Sequence, residues 1–219
     1  WHWYNQMESM RDAIEVADIL FVISAANYGM YLDLYPDYPA SYDLDNIVVV
    51  GAKEQDEKRV EVPGAWGSNY GLTTVDVGAP GLDIYSTMPN NSYDYASGTS
   101  MACPHVAGIA ALILSHNPTL DWSELKDVIM QSGDPNPNMV GKTVTDARVN
   151  AYNALVEAGP AWVSLEEDGG VIIPGDYRDI QVTFDATGVY TGDYDANIII
   201  YHNDPNADEA TVSASLTVT

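Results

Sequence analysis

The sequence predicts an α/β domain, a parallel sheet with helices on both faces, followed by a small all-β, sandwich-like module. Three observations carry this. Residues 19–23 (Ile-Leu-Phe-Val-Ile) and 47–50 (Ile-Val-Val-Val) are continuous apolar runs, as in strands covered on both sides. From Ser100 to Leu114 the chain is apolar nearly all round, which places a helix in the middle of a domain. After Gly159 and Pro160 the period becomes alternating: Val182, Phe184, Ile198, Ile200, Val212, Ala214, Leu216 and Val218 fall on one-in-two spacing. The first domain is therefore set at residues 1–158 and the β-rich module at 159–219. The module is short for an independent core, which leaves room for strands that this chain does not hold.

Taken in order, Met10, Ala13, Ile14 and Ala17 are spaced three and four apart, so residues 8–19 read as an amphipathic helix. The strand at 19–23 follows, then a polar loop rich in Tyr, Asp and Pro from 28 to 45. Beyond the second strand come charged residues 53–59, a Gly-rich stretch, and a third short strand at 74–77. Ala79-Pro80-Gly81 breaks that strand. The helix from Ser100 tolerates Pro104 as a first-turn residue, whose missing N–H has no partner to lose. Asn117-Pro118 stops it, and residues 121–131 and 146–157 read as two further amphipathic helices.

Acidic residues outnumber basic ones 32 to 8, a formal charge of −24. That field repels nucleic acid, whose binding needs Lys and Arg. It favours solubility, tolerance of salt and binding of cations such as calcium. The acids are scattered singly through loops and form mostly a solvated surface. Asp33, Asp37, Asp43 and Asp45 share one loop, and residues 203–208 (Asn-Asp-Pro-Asn-Ala-Asp) another. Neither has the spacing of a complete calcium loop, so metal ligands stay unassigned. The apolar run 109–114 is too short to span a bilayer, and no membrane anchor is expected. The chain starts at Trp1 rather than Met, so a true N-terminus is expected upstream. Cys103, the one cysteine, allows no intrachain disulfide and at a helix start packs as a small apolar group.

A strand, a small-residue loop and a Ser at the start of a buried helix suit nucleophilic chemistry. Helix N-terminal N–H groups are unpaired, and a Ser placed there has its own N–H available to an oxyanion beside Oγ. Small neighbours (Gly98, Ala102, Gly108) let substrate and backbone approach. A bare Gly-Thr-Ser is no more than a helix cap. The whole string Ser97-Gly-Thr-Ser-Met-Ala-Cys-Pro-His-Val-Ala-Gly108, however, resembles the nucleophile motif of the subtilisin-like serine proteases. Tyr38-Pro-Ala-Ser-Tyr42 through Val50-Gly-Ala52 is similar to that family's strand after the oxyanion loop. Val75-Asp-Val-Gly-Ala-Pro-Gly81, with Ile84 and Ser86-Thr87, resembles its segment ahead of the nucleophile, and Arg148-Val-Asn-Ala151 its closing helix. The likeness covers roughly residues 8–156.

The resemblance implies the C-terminal part of a subtilisin-like peptidase domain, within a secreted serine endopeptidase that hydrolyses peptide or protein substrates through an acyl-enzyme on Ser100. It implies no cofactor for the chemistry and leaves room for structural calcium. It places Asn27 as the oxyanion-hole amide, and Ser24, Ala25 and Ala26 as one wall of the pocket for the residue before the scissile bond. The family usually has Gly at the position of Ala26. The added methyl implies a preference for small or slender side chains such as Ala, Leu or Met over Phe and Tyr. The tail resembles Ig-like or fibronectin-like repeats.

A serine nucleophile needs a base and a group that orients the base. The family order Asp, His, Ser puts both before residue 1. His105 lies about 140° round the helix from Ser100, and His116 about 24 Å along it. His202 belongs to the tail, and His2 lacks the family's Gly-Thr surroundings. The chain is thus read as a fragment, inactive alone, whose partner is the missing N-terminal half of the catalytic domain. The alternative is a truncated, non-catalytic pseudoprotease that binds peptides or assembles with another chain.

Overall fold

The structure, a computed structural model, describes residues 6–159, 162–165, 170–171, 176, 178–186, 192–202 and 209–219. His2 and the acidic run 203–208 lie outside them. The chain divides into two compact units, Trp1–Gly159 and Pro160–Thr219.

Helix α1 (Glu8–Glu15) is shorter than the apolar spacing predicted. The Asn46 side chain ends it, donating from Nδ2 to the carbonyls of Ile14 at 2.7 Å and Ala17 at 3.1 Å. Strand β1 (Phe21–Ser24) starts later than predicted because its partner sets its register, Phe21 opposite Ile47 and Ser24 opposite Val50. Strand β2 (Ile47–Lys53) is buried along all 7 residues. Two short antiparallel ribbons follow, β3 (Glu61–Val62) with β4 (Trp66–Gly67) and, after β5 (Val77–Pro80), β6 (Ile84–Met88) with β7 (Ser92–Ala96). Strand β5 lies downstream of the predicted 74–77. Residues 72–74 are held in a turn by Asp33, and Pro80 pairs opposite Lys53 as the last strand residue instead of breaking the strand.

Helix α2 (Thr99–His116) crosses β1, β2 and β5. The prediction of burial all round does not hold. Ala102, Val106, Ala110 and Ile113 are buried in the cluster with the sheet, while Leu112 is 51% and Leu114 37% exposed, on a face that the described residues leave open. At 18 residues and a mean hydropathy of 1.2, α2 matches a short membrane span by length and composition, although it is seated on the sheet. Pro104 is its sixth residue, beyond the first turn, so the Ser100 carbonyl loses its helical N–H donor.

Helix α3 (Trp122–Gln131) opens on a capping box. The Asp121 carboxylate accepts from the Ser123 and Glu124 amides, and Glu124 accepts from the Asp121 amide. Strands β8 (Asp134–Pro135) and β9 (Ala147–Arg148) complete the sheet, and α4 (Ala151–Glu157) is capped by Asn150. The predicted helix start at 146 gives way because residues 147–148 pair with both β5 and β8.

The sheet runs β1-β2-β5-β9-β8, parallel except for β8. Alternation along β2 feeds two apolar clusters. Val48, Val50 and Ala52 pack with α2, α3 and α4, whereas Ile47 and Val49 pack with Ile14, Leu32 and Tyr42. This is the predicted parallel α/β sheet with helices on both faces.

The described part of the second unit holds two antiparallel ribbons, β10 (Val163–Leu165) with β11 (Val182–Phe184) and β12 (Gly192–Tyr201) with β13 (Glu209–Val218). The one-in-two pattern places Ile198 opposite Val212 and Ala196 opposite Ala214. Val212 is nevertheless 51% exposed, so this ribbon does not by itself close a core.

Candidate functional site

Ser100 occupies the first turn of α2 and is exposed. The loop before it turns sharply at Gly98 (φ 151°, ψ 166°), a conformation that only glycine takes readily. A Cβ there would stand 3.5 Å from Asn27 Oδ1. At Gly81 a Cβ would come within 2.9 Å of the Gly98 carbonyl and closer still to Ala52, so a side chain would push the loop off β2. The Gly98 amide donates to the Gly81 carbonyl at 2.7 Å, which ties the loop down. Gly108, expected to serve close approach, faces open space in the described structure.

The helix has no side-chain cap of its own. Asn27, 72 positions earlier, supplies one: Thr99 N–H donates to Asn27 Oδ1 at 2.9 Å. With its oxygen committed, the Asn27 side chain keeps Nδ2 as a donor. The amides of Met101 and Ala102 bond back to the Gly98 carbonyl, while no hydrogen bond is recorded for the Ser100 amide among the described residues. Asn27 and Ser100 line the same cavity.

Asn27 is itself held by a residue that sequence reasoning missed. Asn69 is buried; its Oδ1 accepts from the Tyr28 and Met30 amides at 3.0 and 2.9 Å, and its backbone N–H donates to the Ala26 carbonyl at 3.0 Å. This pins the turn on both sides of Asn27. Nothing local in the sequence signals the role.

A cavity of about 190 Å³ opens beside Ser100, lined by Ser24, Ala26, Asn27 and Tyr28 on one side and by Asp37, Tyr38, Pro39 and Ala40 on the other. Ala26 sits at φ 70°, the left-handed region where glycine is favoured, and is one of the lining residues. Ala25 does not line the cavity. Its amide donates to the Val50 carbonyl, and its side chain points into the α1-side cluster, because alternation along the extended chain turns it to the opposite face. What Ala25 can offer the pocket is backbone.

The four loop acids do not converge. Asp33 closes a turn, accepting from the Leu72 amide at 2.7 Å and the Thr74 hydroxyl at 2.7 Å. Burial pushes its carboxyl up, but these bonds and that of Tyr31 outweigh it and hold Asp33 below the usual carboxylate range. Asp37 lines the Ser100 cavity. Asp43 and Asp45 line a second cavity of about 440 Å³ with Asp76, whose carboxyl is raised by burial against the opposing Val49 amide and Lys126. Among the described residues no group of three His, Cys, Asp or Glu could hold a metal ion.

His105 is exposed and donates from Nδ1 to the Met101 carbonyl of its own helix at 2.7 Å. His116 is in the last turn of α2, and His202 follows β12 in the other unit. No described histidine lines the Ser100 cavity. Cys103 donates to the Val22 carbonyl at 3.3 Å, and burial raises its thiol, which suits packing rather than reactivity.

A model of the subtilase family matches residues 2–156. A thermophilic serine proteinase from Bacillus sp. (strain AK1) is 44% identical over 117 residues, 53% of this chain and 26% of that protein. Thermitase from Thermoactinomyces vulgaris is 38% identical over 134 residues, 61% of this chain and 43% of thermitase. Among solved structures, a protease from Pseudoalteromonas arctica superposes with a TM-score of 0.63 at 26% identity, covering 73% of this chain and 50% of that one. The chain spans between about a quarter and a half of the length of these relatives.

Proposed function

The chain belongs to the subtilase family, and on that premise we propose that it carries the nucleophile half of a secreted serine endopeptidase. The observation that carries the reading is the bond from Thr99 N–H to Asn27 Oδ1, 2.9 Å long, which brings Ser100, the Asn27 amide and one pocket wall together. Ser100 Oγ attacks the scissile carbonyl carbon as its proton passes to a base. The oxygen that becomes negative meets the Ser100 N–H and Asn27 Nδ2. The amine leaves with the base's proton, and water releases the acyl group by the reverse steps.

The base and its orienting acid come, in this reading, from an upstream segment that completes the domain. Two features support it. Strand β1 is only half-buried along its length at the sheet edge, although the neighbouring β2 is buried throughout. Helix α2 leaves Leu112 and Leu114 open, an apolar face that a further layer would cover. A fluorophosphonate probe, which reacts with an activated serine, separates the possibilities. The probe should label Ser100 in the complete protein and not in the 219-residue chain. Strong labelling of the chain alone would overturn the division of labour, and no labelling or cleavage by the complete protein would overturn the peptidase reading.

A truncated pseudoprotease is the second reading, favoured by the absence of any described histidine from the Ser100 cavity. A start codon adjoining Trp1 in the reading frame would support it. Structural calcium is a further part of the proposal, motivated by the charge of −24. It requires that calcium raise the melting temperature beyond sodium chloride of equal ionic strength.

A further inference from the structure

The turn that carries Asn27 is strained, and one buried residue holds it. Ala26, at φ 70°, takes a conformation that is unfavourable for a residue with a Cβ and persists only where its surroundings enforce it. Asn69, 1% exposed, bonds to both peptide groups that flank the Asn27 Cα. Its backbone N–H donates to the Ala26 carbonyl at 3.0 Å, and its Oδ1 accepts from the Tyr28 N–H at 3.0 Å. A peptide group is planar, so restraining the planes on either side of a residue restrains its φ and ψ together, and with them the direction of its Cα–Cβ bond. The same Oδ1 accepts from the Met30 N–H at 2.9 Å, while Nδ2 has no hydrogen-bond partner among the described residues. The side chain therefore acts through its oxygen.

Asn69 is in turn anchored to the sheet. Ser68 is buried, and its Oγ accepts from the Ala52 N–H of β2 and donates to the Asn69 carbonyl, both at 2.9 Å. The Ser68 backbone is bonded as well, its N–H to the Val60 carbonyl at 2.9 Å and its carbonyl from Arg59 Nη1 at 2.6 Å. Gly51 leaves room for this, since a Cβ there would stand 3.3 Å from Val75 Cγ1 and 3.5 Å from Ser68 Oγ. Hydrogen bonds thus run from β2 through Ser68 and Asn69 to the peptides around Asn27, and from Asn27 Oδ1 to Thr99. Resting on the peptidase reading, we propose that Asn69 is a positioning residue for the oxyanion amide: it sets the backbone of Asn27, and so the aim of the Asn27 side chain. It is not among the residues lining the Ser100 cavity, so it does this without meeting substrate there. A donor to a developing oxyanion is effective because it is fixed in place beforehand, so loosening its backbone removes turnover and spares binding.

The test is a double-mutant cycle on the complete protein, with kcat counted per folded molecule. Asn69→Ala should lower kcat by about 10- to 100-fold and leave KM within a few-fold. Added to Asn27→Ala, the same change should lower kcat by less than about 3-fold more, because the donor it aims is already gone. Asn69→Ser, a smaller loss of polarity, serves where Ala does not fold. Losses that multiply in the double variant, or an Asn69 variant whose kcat is unchanged whatever its melting temperature, overturn the positioning role and leave the peptidase reading standing. No cleavage by the complete wild-type protein, with no fluorophosphonate label on Ser100, overturns the peptidase reading itself.

Discussion

On one flank of Ser100 the backbone is held from several directions: Asn27 caps Thr99, Asn69 pins the turn around Asn27, and Gly81 ties down the Gly98 loop. On the other flank the described residues offer only the open side of α2, where His105 is bonded into its own helix. In the proposed function the first flank would position a substrate carbonyl and its side chain, and the second would have to move a proton. If the proposal holds, the difference teaches that binding and transition-state stabilisation are built into the sheet core, whereas proton transfer is a separate part that can be supplied or withheld. A chain of this kind is expected to bind without turning over.

The largest effect breaks the comparison at its centre. Ser100→Ala in the complete protein should lower kcat by about 10⁶-fold, the size of loss known for subtilisin itself. Peptide affinity, read by titration, should stay within a few-fold. A variant that kept most of its turnover would dismiss Ser100 as the nucleophile.

Asn27 sharpens the comparison, because its two side-chain atoms have different tasks. Asn27→Ala should reduce kcat by about 10²–10³ with little change in KM, again the magnitude known for subtilisin. It should also lose the cap on Thr99, worth about 0.5–2 kcal/mol of stability. Asn27→Asp keeps the accepting oxygen and removes the donor, so turnover should fall while the melting temperature holds. Equal melting losses in both variants would mean that the oxygen is not the capping atom.

Ala26→Gly tests the pocket side alone. Removing the methyl should move discrimination toward Phe and Tyr by about 10- to 200-fold in kcat/KM. Identical profiles for matched Leu and Phe peptides would leave the methyl without a role in selection.

The smallest effect concerns the turn at residues 72–74 that Asp33 holds. Asp33 has a folded-state pKa below its ordinary value, so its stabilising contribution is full above the usual carboxylate range and disappears as pH falls through that lowered value. Asp33→Asn should lower the melting temperature at neutral pH by about 2–4 °C, corresponding to roughly 1 kcal/mol. The gap should close under acid. A gap that stays constant with pH would assign the loss to packing rather than to the carboxylate's bonds.

Local pattern was enough for much of this molecule. Continuous apolar runs marked β1 and β2 as strands of a covered parallel sheet, because a strand with two buried faces has no polar side to alternate with. The string from Ser97 to Gly108 located a helix start with Ser100, the proposed nucleophile, in its first turn, and the acidic composition showed in the sequence itself. The boundaries were decided elsewhere. Asn46 ended α1, Asp33 displaced the start of β5, and β9 took residues read as helix, each through a partner distant in the chain.

The sequence by itself determined that a strand, a glycine loop and a serine-led helix would form in that order, since short-range periodicity and turn chemistry encode those features. Only the tertiary structure decided that Asn27 Oδ1 meets Thr99 and that Asn69 stands behind it. It also decided that Ala25 turns inward while Ala26 faces the cavity, and that Asp37, one of four similar loop acids, lies in the pocket wall. The physical reason is that spacing along the chain fixes which face of an element a side chain takes. Which side chain it meets across 41 or 72 positions depends on how the sheet packs its layers together.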